Sequence, residues 1–309
     1  MEQFAQQLLN GLFLGSIYAL IALGYTMVYG VLRFINFAHG DVFMLGAFSG
    51  LYLNRWLGPS LASLHWSISL TIILVLSMLI CAALGILIEF LAYRPLRNRP
   101  RLNVLITAIG VSLLIEYTGQ HPAVFGATQQ PFPALIPANN ISLTGNLAVT
   151  NTQMIVFVTV VLLLVALRYI VMKTRMGLAM RALSLNPTAS ALMGVNNSVV
   201  ISFTFGLGSA LAAAGGILYA SLYPSVEPFM GIMPGLKAFI AAVLGGIGNI
   251  PGAALGGLII GVTETLVGGY SSVVGLPTGY KDGVAFVILI LILLFKPSGL
   301  LGKTEREKV

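Results

Sequence analysis

Charged side chains are scarce in this sequence, at 8% of 309 residues, whereas hydrophobic residues make up 57% and the mean hydropathy is +0.95. A chain of this composition cannot bury its apolar side chains in a soluble core and still present a polar surface to water. Apolar windows of about 20 residues, the length of a membrane-spanning helix, recur from end to end. The alternating strands of a membrane β-barrel do not occur. The sequence therefore predicts an all-α, polytopic helical membrane bundle forming a single domain over residues 1–309.

Residues that carry catalysis or bind metals are equally scarce. Cys81 is the only cysteine and falls within an apolar segment, so we predict no intrachain disulfide. His65 and His121 fall in polar connections, and the remaining histidine leaves too few ligands for a zinc site. No Gly-x-x-x-x-Gly-Lys-Ser/Thr loop occurs, so any ATP would be bound by another subunit. We therefore predict a non-enzymatic protein without a cofactor or metal of its own.

The net charge of +7 is concentrated in clusters of Lys and Arg at residues 94–101, 168–181 and 296–308. Under the positive-inside rule these clusters mark the cytoplasmic side of a membrane, so the charge does not indicate a nucleic-acid partner. The first apolar run has no Lys or Arg before it, and we expect a membrane span there rather than a cleaved signal peptide. Counting the crossings gives about 8–9 transmembrane segments and a cytoplasmic C-terminus.

The predicted spans are separated by polar segments. They run over about residues 8–29, 34–53, 68–92, 103–118, 152–172, 198–223, 235–248, 253–269 and 283–295. Residues 54–65, with Pro59, form a predicted external linker, and residues 119–151, which hold no Lys, Arg, Asp or Glu, a predicted extracytoplasmic loop. The glycines of 245–257 leave short apolar arms, which are either two spans or a re-entrant hairpin that reaches part-way.

A polar segment at residues 173–197 separates two apolar spans on the predicted cytoplasmic side. Asn186-Pro187 predicts two short helices meeting at a bend, because proline cannot continue a helix and disfavours the helical conformation of the preceding residue. We interpret this segment as a coupling segment on which a partner protein docks, and an ordinary basic loop is the alternative. The candidate coupling residues are Arg175, Gly177, Arg181, Ala182, Asn186, Pro187 and Gly194.

Ionisable residues inside apolar spans are costly and tend to mark function. His39 and Asp41 begin the second span, where they suit a gate, a proton relay, or simply a helix start with Asn36 as the N-cap. We expect Lys237 and Glu264 to form a salt bridge between neighbouring helices. The candidate path and gate residues are Asn36, His39, Asp41, Lys237, Gly245, Gly246, Asn249 and Glu264.

Two further expectations concern charge. Glu89 and Arg94 are spaced as a pair at a helix end. The apolar spans contain few acids, Asp41 and Glu264, whereas a carrier coupled to sodium or protons usually needs more buried acids. This scarcity argues against an ion-coupled carrier. A path lined mainly by Gly, Ala, Ile, Leu and Asn offers no strong carboxylate or ammonium anchor, which suits passage of a small zwitterion with an apolar side chain.

Several stretches together resemble one family. LNG at residues 9–11, GSIYALIALGYTMVYG at 15–30 and INFAHGD at 35–41 resemble the start of branched-chain amino acid ABC transporter permeases of the high-affinity leucine, isoleucine and valine type. Further matches to the same family are YRPLR at 93–97, residues 237–257, and RMG, RA and MGVN within the coupling segment. The resemblance covers essentially the whole chain, and the combination of motifs is specific.

The resemblance implies a multi-pass permease of the bacterial inner membrane, surrounded by lipid and without an ATP site. Its implied partners are a homologous permease subunit, two cytoplasmic ATP-binding subunits and a periplasmic substrate-binding protein. The coupling segment would fit a groove on an ATPase, although Ala182 and Gly194 are present without the Glu of the Glu-Ala-Ala pattern. ATP-driven closure of the ATPases would then switch a path between the two permeases from outward to inward opening.

The sequence leaves other functions open. A urea or short-amide permease shares the motifs, and a stand-alone channel, a secondary transporter or a purely structural membrane subunit belongs to other classes. The preferred amino acid, and pairing with an identical or a different permease, are not determined by these residues.

Overall fold

The computed structural model describes residues 2–32, 34–97, 99–137, 139–144, 147–275, 277 and 279–302. Arg33 and the basic tail at residues 303–309 lie outside the described residues. The described chain folds as an all-helical bundle, as predicted. Its helices are α1 (Glu2–Leu32), α2 (His39–Leu61), α3 (Trp66–Ile88), α4 (Arg101–Gln120), α5 (Asn151–Lys173), α6 (Arg175–Leu185), α7 (Pro187–Leu192), α8 (Asn197–Leu222), α9 (Ile232–Gly245), α10 (Ile250–Val274) and α11 (Tyr280–Phe295).

Short strands lie at the end of the bundle that holds the predicted extracytoplasmic loop. β1 (Gln130–Pro131) pairs antiparallel with β4 (Ser225–Val226), and β2 (Asn140–Thr144) pairs antiparallel with β3 (Leu147–Thr150). The first pair joins this loop to the connection between α8 and α9. The loop is therefore tied to the bundle through its backbone.

Within the described residues, six helical segments are long and apolar enough to cross a membrane. They are Glu2–Leu32, Trp66–Leu96, Leu102–Gln120, Asn151–Lys173, Asn197–Leu222 and Ile250–Ser271. The outer faces of α3, α4 and α5 expose large apolar side chains, among them Leu79, Leu114 and Leu162. Lipid is the solvent that suits such faces.

Helix α1 forms the centre of the bundle, where it packs along α10 and also contacts α8, α9 and α5. Its side chains are buried continuously from Phe13 to Val28. A Cβ atom on Gly257 of α10 would overlap the backbone of Ala19, so glycine allows the two helix backbones to approach closely. Dispersion contacts between closely packed helices replace the hydrophobic driving force that lipid cannot supply.

The start and end of α2 differ from the prediction. The helix begins at His39 rather than at residue 34, and it continues to Leu61 with Pro59 inside it, so the predicted linker at 54–65 is wrong for most of its length. The segment before α2 is irregular and its N-cap residue is Ala38, which makes no capping side-chain bond. Asn36 is not the cap, because its Oδ1 accepts a hydrogen bond from the Tyr93 hydroxyl at 2.6 Å.

The end of α3 also corrects a predicted pair. A π-helical turn at Glu89–Tyr93 and a 3-10 turn at Arg94–Leu96 continue the helix. Glu89 forms its ion pair with Arg97 rather than with Arg94. The wider π-helical turn changes which side chains share a face, and the Arg94 guanidinium lies over the Phe90 ring at 5.2 Å instead.

Candidate functional site

A cavity of about 670 Å³ opens at the end of the bundle that holds the loop at 119–151. The start of α1, the start of α5, the end of α8, the outer part of α10 and the start of α11 surround it. Its lining residues include Gln7, Asn10, Phe13, Leu14, Thr152, Gln153, Leu222, Tyr223, Glu264, Thr265 and Lys281. We call it the external cavity, because the charge rule predicts that these helix ends lie outside.

A cluster of three charged residues lies beside the external cavity; Lys237 and Glu264 are buried and the Asp282 side chain is 28% exposed. Lys237 Nζ is 2.7 Å from Glu264 Oε1 and 2.6 Å from Asp282 Oδ1, and its side chain is only 5% exposed. Tyr18 donates its hydroxyl to Glu264 Oε2 at 2.9 Å. The cluster thus joins α9, α10, α11 and α1. It confirms the predicted pair of Lys237 and Glu264, whereas Asp282, at the end of a polar connection, was not predicted to join them.

Tyr223, immediately after α8, adds a hydrogen-bonding group to the external cavity. Burial, and then the nearby Glu264 carboxylate, raise the pKa of this phenol above its ordinary value. Its hydroxyl therefore stays protonated at neutral pH and can donate a hydrogen bond.

A second cavity, of about 730 Å³, opens at the opposite end of the bundle. Tyr29 and Gly30 of α1, Arg181 and Leu185 of α6, and the bend at residues 247–251 contribute to its wall. We call it the cytoplasmic cavity, since it includes the coupling segment that the charge rule places inside. Of the candidate path residues, Asn249 reaches this cavity and Glu264 reaches the external one.

Packed helix separates the two cavities. Leu14 of α1 lines the external cavity and Tyr29 lines the cytoplasmic one, about 22 Å apart along the helix. Every described side chain between them on α1 is buried. Among the described residues, therefore, no continuous path runs along α1.

The wall of the cytoplasmic cavity contains a bend that glycine makes possible. Gly246 and Gly248, between α9 and α10, have φ values of 101° and 90°, which favour glycine. Residues 296–302, which we call the C-terminal strap, bond to this bend: Leu300 N donates to Leu244 O at 2.8 Å and Leu301 N to Gly245 O at 3.1 Å. With 14 residues, α9 is about 21 Å long, shorter than a full crossing of the hydrocarbon core.

His39 and Asp41 form separate contacts and do not join the charged cluster described above. The His39 ring packs against Tyr25 with centroids 4.5 Å apart, and Gly24 leaves the space it occupies. Asp41 accepts a hydrogen bond from Ser112 at 2.5 Å. A small cavity of about 110 Å³ lies beside Asp41 and Glu116.

Glu116 is a residue that sequence reasoning missed. It is 7% exposed and faces the same small cavity as Asp41, although the two lie on different helices. The sequence signal that could have identified Glu116 is its position as a single acid inside an apolar span. The count of buried acids that argued against an ion-coupled carrier was therefore too low.

The coupling segment folds as predicted into two short helices, α6 and α7, with Asn186-Pro187 at the bend. Asn186 caps α7, accepting a hydrogen bond from Ala189 N at 3.0 Å. Arg175, Arg181, Asn186, Pro187 and Gly194 are exposed, and Ala182 is half-buried. Gly177 is buried, and a Cβ atom there would overlap the backbone of Ile170 and Val171, so its place is in the junction of α5 with α6.

The most exposed apolar residues of the coupling segment were also missed. Leu185 is 80% exposed, Leu192 83% and Met193 85%. Apolar side chains within a segment that is otherwise polar were the signal. Exposed apolar groups at a water-facing end of a membrane protein are typical of a protein interface.

The described residues form a polytopic helical bundle with a cavity at each end and packed helix between the cavities, an arrangement that suits a membrane transport protein. Residues 7–293 match the family described as branched-chain amino acid transport system / permease component. The chain belongs to this family. With its apolar helices, it is a multi-pass inner-membrane permease.

The chain is similar over nearly its whole length to permease proteins of branched-chain amino acid transport systems. It is 41% identical to the high-affinity branched-chain amino acid transport system permease protein LivH of Salmonella typhimurium and to that of Escherichia coli K12, in each case over 99% of this chain and 98% of the relative. It is also 41% identical to the corresponding permease protein BraD of Pseudomonas aeruginosa, with the same coverage. No solved structure matches the chain.

Proposed function

We propose that this chain is the permease subunit of an ATP-binding-cassette importer that moves branched-chain, hydrophobic amino acids from the periplasm to the cytoplasm. The match of residues 7–293 to the family of branched-chain amino acid permeases is the observation that carries the proposal. In this chain the two cavities at opposite ends of α1 are closed from each other by packed helix, which agrees with a carrier that alternates between two openings and not with an open channel. The 41% identity to amino acid permeases favours this substrate class over urea or short amides.

The proposed topology has 8–9 transmembrane segments, an external N-terminus and a cytoplasmic C-terminus. The lining of the cavities supports it, because each cavity collects helix ends that the charge rule places on one side. Helix α2 has 23 residues and is long enough to cross, although it is more polar than the six apolar segments. Helix α9 is short, but an external N-terminus and a cytoplasmic C-terminus require an odd number of crossings, so the count that includes α9 is nine.

The coupling segment, residues 173–197, is proposed to seat on a cytoplasmic ATPase. Leu185, Leu192 and Met193 would enter an apolar groove, and Arg181 would meet acidic groups at its rim. Arg181 and Leu185 also line the cytoplasmic cavity, so a movement of α6 reaches the α9–α10 bend directly. This contact would transmit ATPase closure to the path.

The candidate path residues are proposed to have three different roles: an external gate, a cytoplasmic hinge and the positioning of α2. Lys237 and Glu264 would form an external gate, since their cluster joins four helices beside the external cavity. Gly245, Gly246 and Asn249 would form a cytoplasmic hinge. Asn36, His39 and Asp41 would hold α2 against α1, the end of α3 and α4.

The proposed assembly contains a homologous permease, two ATP-binding subunits that supply the ATP sites, and a periplasmic substrate-binding protein. The test is uptake of radiolabelled leucine into proteoliposomes that hold the complete assembly, with and without internal ATP. We expect uptake to require both ATP and the binding protein, and unlabelled valine to compete whereas urea does not. Entry of leucine without ATP would show a channel or secondary carrier instead.

A further inference from the structure

The external cavity contains a charged group of each sign. Glu264 lines it from α10 and Lys281 from α11, and they are the charged residues among its described lining. Glu264 is 7% exposed, whereas Lys281 is exposed. The sequence had offered no such pair of anchors, because Lys281 falls in a polar connection and Glu264 was assigned to a salt bridge.

The cluster of Lys237, Glu264 and Asp282 carries one net negative charge, and its Asp282 side chain is 28% exposed. Lys237 is the cation shared by Glu264 and Asp282, so two carboxylates face one ammonium group. Tyr18 donates a neutral hydroxyl to Glu264 and adds no charge. A carboxylate accepts more hydrogen bonds than these two, and a second cation at Glu264 is electrostatically favoured.

The rest of the cavity wall is divided between polar and apolar groups. Phe13, Leu14 and Leu222 supply an apolar surface, while Asn10 and Gln153 supply amides. The volume of about 670 Å³ falls in the usual range for small-molecule sites, which are mainly apolar with a few polar groups that fix orientation.

We propose that the external cavity binds a free α-amino acid as its zwitterion, with the ammonium group on Glu264, the carboxylate on Lys281 and an apolar side chain against Phe13 and Leu14. This site deepens the proposed function and rests on it. The permease would then recognise the two charges common to its substrates after their release from the binding protein, and the apolar wall would favour hydrophobic side chains.

Protection from thiol labelling tests the site in the complete assembly. Cys81 is the only cysteine of the sequence, so Cys81→Ala provides a background without thiols in this chain. Gln7→Cys and Ser221→Cys each place a thiol on the cavity wall, and Trp56→Cys places one at an exposed position away from it. We expect leucine to slow labelling by a membrane-impermeant maleimide at positions 7 and 221 and to leave position 56 unaffected.

Analogues that lack one charge separate the two anchors. Leucine amide lacks the carboxylate and 4-methylpentanoate lacks the ammonium group, and we expect each to need at least about tenfold more ligand for half-protection, since a charged hydrogen bond contributes about 1.5–3 kcal/mol. Lys281→Gln should raise the leucine concentration for half-protection about tenfold and leave that of leucine amide unchanged.

The outcomes distinguish this site from the proposed function. If the Cys81→Ala assembly takes up leucine with ATP but leucine protects neither cavity thiol, the site is wrong and the importer function stands. Equal protection by leucine and by both analogues also overturns the charge assignment. If leucine protects both thiols but the assembly does not import it, the site stands and the importer function fails.

Discussion

The side-chain nitrogen of Asn249 lies 2.7 Å from the carbonyl oxygen of Leu301 and donates a hydrogen bond to it. Asn249 Oδ1 at the same time accepts from Gly252 N at 3.1 Å and caps α10. One side chain therefore fixes both the first turn of α10 and the C-terminal strap. A movement of the α9–α10 bend has to carry the strap with it or break this bond.

Two substitutions of Asn249 separate its roles. We expect Asn249→Ala to lose both bonds, which costs about 1 kcal/mol for the cap alone and lowers the temperature of unfolding. Asn249→Asp keeps an acceptor for Gly252 N but places an anion beside the Leu301 carbonyl, so it should retain the cap and lose the strap bond. Thermal unfolding and leucine uptake are the measurements. Equal unfolding temperatures for the two variants would show that the cap contributes little.

Arg181→Glu tests the docking of the coupling segment. The side chain is exposed, so we expect normal folding and expression, while the reversed charge repels the acidic rim that we propose on the ATPase. Uptake should fall about tenfold or more, with ATP hydrolysis no longer stimulated by the loaded binding protein. Arg55→Glu, an exposed arginine on α2 bonded to Gln130 at the other end of the bundle, is the matched control. Normal uptake by the Arg181→Glu protein would contradict the docking proposal.

Leu192→Ser and Met193→Ser test the apolar part of the same surface. Both side chains are more than four-fifths exposed in this chain, so their loss should not change its stability. If an ATPase buries them, each contributes about 1.5–3 kcal/mol, and the affinity for the ATPase should fall about tenfold or more. Pull-down of the ATPase in detergent measures this, with Trp56→Ser as a control that is also exposed. Unchanged binding by both variants would place the interface elsewhere.

Local sequence patterns were sufficient for the features that depend on neighbours along the chain. The apolar windows predicted the helices, and Asn186-Pro187 predicted the bend between α6 and α7 because proline acts on its own residue and the one before it. The start of α2 was misplaced because Phe34, Ile35, Phe37 and Ala38 continue the hydrophobic window although their backbone is not helical. Hydrophobicity indicates burial rather than helix, and a buried or half-buried irregular segment gives the same pattern as the start of a span.

Contacts between distant segments could not be predicted in the same way. The pair of Lys237 and Glu264 was expected because both are rare charges in apolar spans, whereas Asp282 lies at the end of a polar connection and gave no such signal. Two arginines, Arg94 and Arg97, lie near Glu89 along the chain. With the π-helical turn at the end of α3, Glu89 forms its ion pair with Arg97. Two of the strap contacts, from Leu300 N to Leu244 O and from Leu301 N to Gly245 O, are backbone bonds, on which side-chain identity has little influence.

Removing Lys237 should be more damaging than removing either of its acids. Lys237→Met leaves Glu264 and Asp282 facing each other without a cation, and breaking a buried ion pair in this way costs about 3–5 kcal/mol. Asp282→Asn leaves the pair of Lys237 and Glu264 intact and should be milder. The amount of folded protein after detergent extraction and heating is the measurement. Equal loss of folded protein in the two variants would contradict the expectation that the unpaired acids, rather than the loss of one ion pair, cause the damage.

Gly257→Ala tests whether close contact of α1 with α10 holds the bundle together. The added methyl group would overlap the Ala19 backbone, which cannot move away without shifting α1. Overpacking of this kind costs about 1–3 kcal/mol, and α1 is the centre of the bundle, so we expect a lower temperature of unfolding and reduced uptake.

The control for this substitution is Gly110→Ala, also within a helix but with no atom within 4 Å of the added methyl group. Alanine is about 1 kcal/mol more favourable than glycine in a helix interior, so the control should be neutral or slightly stabilising. The two variants share the same change in helix propensity and differ in what the methyl group contacts. If Gly257→Ala is as stable as Gly110→Ala, the helices tolerate a wider separation and packing at this glycine does not determine the position of α1.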